Sequence, residues 1–197
     1  MRPALSWGLR QLSDLDRLLA GAAGWLLQPK LNGDRVALTQ WRGKLYAYSR
    51  HGAPYRQAIR NLDKYRALPE PAVLDGEVYR GRFIPFEALA LGRDLLWRAC
   101  VSERAAAAKA VAEKLDPGAW CFDPPTLAWL RQQFATQPPA GLKCQWEGVV
   151  RKKLGCPYLP AASASQRELP AWAWYKHKWV DARPLGLDAA PAAAAAR

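Results

Sequence analysis

Five short segments hold residues whose types and spacing could do chemistry. In "QPKLNGDRVAL", residues 28–38, Lys30 stands between Pro29 and Leu31, where a merely solvated charge gains little, and Arg35 follows five positions later. Asn32-Gly33 is a hairpin signal, so the two cations bracket an expected turn over which something negative or electrophilic could sit. "YSRHG" (48–52) puts Arg50 at a strand end, and "LDGEVY" (74–79) sets Asp75 and Glu77 around Gly76. "WEGVVRKK" (146–153) opens near Glu147 and closes near Lys152. "WYKHKWV" (174–180) carries Lys176 and Lys178, which share a face because strand side chains alternate with period two. Each segment alone has an ordinary reading: an acid pair at a turn, a solvated basic strand face, a surface Arg-His-Gly turn. Their order along one chain is not ordinary.

Composition narrows the classes. The 197 residues suffice for one domain, or two small ones. Half are apolar, enough for a sizeable core and against disorder. A formal net charge of +12 favours a polyanionic partner. Cys100, Cys121, Cys144 and Cys156 form no C-x-x-C pair, which argues against a zinc ribbon or a disulfide framework and for free thiols in a reducing compartment. The first residues lack the apolar core of a signal peptide, and no run approaches a membrane span. The expectation is a soluble, cytoplasmic protein.

The elements that must position the five segments follow from periodicity. Leucines at helical spacing mark a helix over 9–20, stopped by Gly21 and Gly24. From Trp25 to Ser49, three runs split by Asn-Gly and Arg-Gly turns read as a three-stranded meander. Residues 55–68 read as a helix, and "AVLDGEVY" and "RFIPFEALAL" as two strands joined at Arg80-Gly81. "CVSERAAAAKAVAEKL" is a helix with Ser102 as the expected N-cap and Pro117-Gly118 as the stop. A further helix is expected over 125–136, then strands at "KCQWEGVVRKKL" and "AWAWYKHKWV" separated by a Pro-, Ser- and Ala-rich loop. The fold class is α+β: antiparallel sheets with flanking helices.

Lys-x-x-Gly-x-Arg, Ser-Arg-x-Gly, Asp-Gly-Glu, Glu-Gly-Val-Val-x-Lys and Lys-x-Lys, in this order, resemble the covalent nucleotidyltransferases. More narrowly, the chain from about Trp25 to about Ala182 resembles the adenylylation domain of ATP-dependent DNA ligases of the compact viral or phage type. The resemblance implies an ATP-grasp-like nucleotidyltransferase domain over 1–183 and ATP with Mg²⁺ (or Mn²⁺) as cofactors, while the low-complexity Ala/Pro composition of 184–197 reads as a disordered tail. It implies that Lys30 is the amine that attacks the α-phosphate of ATP to form lysyl-AMP. Arg35 then contacts the nucleotide and helps with the polynucleotide end, and Arg50 holds the 5′-phosphate at a nick. Lys176 and Lys178 stabilise phosphoryl charge and depress the Lys30 ammonium. Glu77 binds the ribose hydroxyl, Glu147 helps place the metal and the lysine, and both are implied as metal carboxylates. Phe86 resembles the aromatic that stacks on adenine, and Gln28 and Lys152 join the implied nucleotide site. The implied partner of this monomer is nicked duplex DNA.

Two residues depart from the pattern. Asn32 stands where DNA ligases usually carry Asp, a feature shared with some RNA ligases, and Glu87 replaces an aspartate after the stacking aromatic. Family ligases continue into an OB-fold barrel. About fifteen residues follow "DA" at 181–182, too few for one, so the expectation is no C-terminal OB-fold and a separate partner that could supply it. An RNA ligase, a GTP-using capping guanylyltransferase, and a non-catalytic nucleic-acid-binding relic of the fold remain alternatives.

Overall fold

The structure, a computed structural model, describes residues 4–5, 12–117, 146–158 and 174–178. Strands β1 (Ala4–Leu5), β8 (Trp174–Lys178), β7 (Trp146–Lys153) and β2 (Trp25–Leu31) form one sheet in the order β1-β8-β7-β2. Strands β4 (Lys44–Ser49), β3 (Asp34–Trp41), β5 (Ala72–Tyr79) and β6 (Arg82–Leu91) form the second, in the order β4-β3-β5-β6. All described pairings are antiparallel except the short β1–β8 pair. Helix α1 (Leu12–Ala20) covers the first sheet and α2 (Val101–Leu115) the second. The α+β expectation holds.

Each sheet turns its apolar face toward its own helix. Leu15 and Leu18 of α1 pack on Leu27 and Val149. Val36, Leu38, Leu74, Val78, Phe83 and Ala88 form the larger core with Tyr65, Leu68 and Ala108 of α2. Because strand side chains alternate, the polar positions of both sheets are left to face each other. Asn61 and the buried Asp116 fasten the second core: the Asn61 amide donates to Phe83 O (2.9 Å) and Asp116 Oδ2 (2.7 Å), while Arg82 and Lys64 also donate to Asp116.

Several expectations need correction. The run from Trp25 to Ser49 is not a three-stranded meander, because β2 pairs with β7 and only β3 and β4 form a hairpin. Asn32-Gly33 is therefore a passage from one sheet to the other. Gly33 is needed there for close approach: a Cβ on it would meet the Val78 carbonyl and come within 2.9 Å of Glu77 Cγ. Pro29, with no N–H to give, is tolerated because β2 is an edge strand. Residues 55–68 yield only a 3-10 turn over Leu62–Ala67. The N-cap of α2 is Cys100 rather than Ser102, since the Glu103 carboxylate accepts from the Cys100 N–H (3.2 Å) and closes a capping box there. The helix expected at 125–136 and the tail lie outside the described residues.

Candidate functional site

The polar cleft between the sheets gathers most of the sequence-predicted residues. In the first sheet, Lys30, Gly148 and Lys178 share a register row, and Gln28, Val150 and Lys176 share the next. Leu26, Lys152 and Trp174 form the third. Leu26, Gln28, Lys30, Val150, Lys152 and Lys176 of these rows alternate with Leu27 and Val149, which face α1, and so belong to the cleft face. In the second sheet Arg35 pairs with Glu77, and Asp75 with both Ala37 and Glu87. They alternate with Val36, Leu74 and Val78 of the core.

Side chains cross the cleft directly. Lys152 Nζ donates to Glu87 Oε1 at 2.5 Å and lies 4.5 Å from the centroid of the Phe86 ring. Arg104, from the first turn of α2, donates through Nε to the other Glu87 oxygen at 2.6 Å. The Arg35 guanidinium grips Asp75 in a fork, with Nε donating to Oδ1 at 2.9 Å and Nη2 to Oδ2. Tyr158 closes the group by donating to Asp75 Oδ2 (3.1 Å) and accepting from Arg35 Nη2 (3.2 Å). Arg35 also lies 5.7 Å from the Phe86 ring centroid. Counting Lys30 and Glu77, four cations face three carboxyl groups, a balance suited to an anionic ligand.

Lys30 sits at the end of β2 where the ladder slips: its partner is Gly148, that of Leu31 is Trp146, and Glu147 is the extra residue between them. Such a bulge interrupts pairing and re-aims the chain, and bulges are common beside active sites. Lys30 Nζ donates weakly to Leu31 O at 3.5 Å, and its charge acts on Glu77 across the cleft. Burial pushes the Glu77 carboxyl up to about 7, against the pull of Lys30, then Arg35; Asp75 adds to the rise and the Gly33 N–H opposes it. Burial also pushes the Lys152 ammonium below its ordinary range, although Glu87 supports its charge. Arg35 is buried against its own charge, yet Asp75 outweighs that and raises it. Burial, then Asp75, lifts the Tyr158 phenol well above its ordinary value.

Gln28 is 2 % exposed, and its Nε2 has no hydrogen-bond partner among the described residues. A buried donor of this kind calls for a ligand or water. Arg50 is exposed at the turn after β4 and donates to His51 Nε2 at 3.2 Å. Its neighbour Ser49 pairs with Val36, so continuing the register puts Arg50 beside Arg35. Glu147 and Lys178 have only their strand positions described.

Sequence reasoning put Asp75 in a strand but missed its pairing with Arg35, and it missed the parts played by Glu87, Arg104 and Tyr158. Arg104 left a signal: with Val101, Ala105, Ala108 and Ala112 it falls on the buried stripe of α2. Tyr158, in a Pro-flanked loop, left none.

No protein-family model and no curated protein matches the sequence. Solved structures do match the fold. A mycobacterial DNA ligase D complexed with ATP and MES superposes with a TM-score of 0.55 at 21% identity, over 90% of this chain and 60% of that one. The ligase domain of M. tuberculosis LigD matches with a TM-score of 0.55 at 20% identity, over 90% and 59%. The structure described as Pmar-Lig_Pre matches with a TM-score of 0.54 at 18% identity, over 89% and 47%. The fold is the ligase nucleotidyltransferase fold. This chain spans between about half and three-fifths of those structures.

Proposed function

We propose that the chain is the adenylylation domain of an ATP-dependent polynucleotide ligase that seals 5′-phosphate/3′-OH nicks in DNA. The observation that carries this reading is the placement of Lys30. It stands at a bulge at the mouth of a polar, cation-rich cleft, in register with Gly148 and Lys178 and in electrostatic contact with Glu77 of the facing sheet, the register partner of Arg35.

In this reading the Lys30 amine attacks the α-phosphorus of ATP; the N–P bond forms, the bond to the β-phosphate breaks, and pyrophosphate leaves with the electron pair. The AMP then passes to the 5′-phosphate at the nick, and the 3′-hydroxyl displaces it. The unpartnered Gln28 Nε2 offers a hydrogen bond to a purine, and the Phe86 ring offers a face to stack on. Glu77 suits the ribose hydroxyl. Mg²⁺, when bound, would neutralise phosphoryl charge, and Glu77 and Glu147 are the residues that would hold it, one or two carboxylates being usual where phosphates complete the shell. A carboxyl held near 7 by burial is one that a divalent cation would draw back to its ionised form.

The test is incubation with Mg²⁺ and α-labelled ATP or GTP, followed by nicked DNA or nicked RNA. Label from ATP, lost in Lys30→Ala, together with sealing of nicked DNA, is expected. Label from GTP alone would contradict the reading, as would sealing confined to RNA.

A further inference from the structure

Strand β4 carries a surface that the nucleotide site does not use. Leu45 and Ala47 pack on the core of the second sheet, so Lys44, Tyr46 and Tyr48 occupy the opposite, cleft-side face. Register places Tyr48 beside Ala37, Tyr46 beside Thr39 and Lys44 beside Trp41. Arg50 continues the same alternation past the strand end. The rings of Tyr46 and Tyr48 lie 6.3 Å apart and nearly parallel. The Arg42 guanidinium lies 5.7 Å from the Trp41 ring centroid. Trp41 is 48 % exposed and Tyr46 37 %, two of the four exposed large hydrophobic side chains among the described residues. At about 3.3 Å per residue, the row from Lys44 to Arg50 is about 20 Å long, enough for about six nucleotides at 3.4 Å each along a duplex strand.

We propose that this aromatic and basic row is a docking strip for the polynucleotide strand that runs away from the nick. Arg42, Lys44 and Arg50 take phosphates, and the exposed rings of Trp41 and Tyr46, with the half-buried Tyr48 beside them, take sugar and base faces. Charge complementarity favours a polyanion, and the strip runs into the cleft at Arg35, the register neighbour of Arg50. The carboxylate at the far end, Glu70, is tied to the Gln40 amide (3.0 Å) and the Gly43 N–H (2.7 Å), which draws its charge into the turn. Aromatic faces between cations are the usual means of holding a strand without reading its sequence. The inference rests on the ligase reading for the identity of the strand.

The test separates the two. Self-labelling with ATP needs no polynucleotide, and binding of a fluorescent nicked duplex, read by anisotropy, needs no ATP. Trp41→Ala/Tyr46→Ala is expected to label like wild type but to bind the duplex about tenfold or more weakly. Lys44→Glu is expected to weaken binding and lower the salt slope by at least about one. Lys114→Glu, the same charge change on α2 behind the second sheet, is expected to leave both nearly unchanged. Equal losses for Lys44→Glu and Lys114→Glu would reduce the strip to general charge and overturn the proposal. So would unchanged binding by the aromatic variant, or a wild-type dimer that Tyr46→Ala makes monomeric, which would make the strip a contact between copies. Absence of self-labelling in wild type with strip-dependent binding intact would overturn the ligase reading and keep the strip.

Discussion

Glu77 carries two opposed demands. Its carboxyl is raised from 4.5 to about 7, chiefly by burial. Between those values the folded state holds a proton that the unfolded chain has released, so folding stability falls as pH rises through this window, and the penalty is complete above about 7. Glu77→Gln is therefore expected to stabilise the fold by about 2 kcal/mol near pH 8, solvent at its partly exposed carboxyl being counted, and to add nothing near pH 4. Urea unfolding at the two pH values checks this; an equal gain at both would show that burial of the charge is not the cause. Self-labelling by the same variant should fall, since the amide cannot hold a metal or accept from two ribose hydroxyls as a carboxylate does. Glu87 behaves in the opposite way. It is fully buried between Lys152 and Arg104, and Glu87→Gln strands two cations, at an expected cost of about 3–5 kcal/mol. Lys152→Met in the Glu87→Gln background should recover part of that loss, because it removes one stranded charge. A double variant less stable than the single would contradict the pairing.

Among the elements, the crossing from β2 to β3 matters most. Gly33→Ala would drive a methyl group into the Val78 carbonyl and the Glu77 side chain. Expected is a loss of about 1–3 kcal/mol in stability and a larger fall in self-labelling than in nick binding; wild-type labelling would show that the close approach is not needed. Sequence reasoning found most strands and α2, since alternation and helical leucine or alanine patterns report local structure. It assigned β2 to the wrong sheet, because Asn-Gly reads as a hairpin and nothing local reveals that a glycine is there to admit a neighbouring strand. The site was legible for the same reason that it is dispersed: Lys30, Arg35, Glu77 and Lys152 stand in short motifs whose types stay recognisable. What stayed hidden was how Asp75 and Glu87 are paired. Their work is done against residues 40 and 65 positions away, Arg35 and Lys152, which no window of sequence displays.

At the scale of the molecule, two sheets with outward-facing cores leave a polar interior, and the Lys152–Glu87 ion pair that crosses it joins the halves on which Lys30 and Glu77 stand. Asp116 anchors the second half from the end of α2, where burial is outweighed by Arg82, then Lys64 and Asn61, and its carboxyl is held well below the usual range. Its stabilising effect is present above the ordinary carboxylate range and lost in acid, so the acid unfolding midpoint of Asp116→Asn should lie at higher pH than that of wild type; an unchanged midpoint would place the acid sensitivity elsewhere. The most direct measurement of the central claim is peptide mass mapping of the full chain after exposure to ATP and Mg²⁺. One AMP adduct is expected, on Lys30, and it disappears on addition of pyrophosphate. An adduct on another lysine, or none in a folded protein that still binds ATP, would contradict that claim.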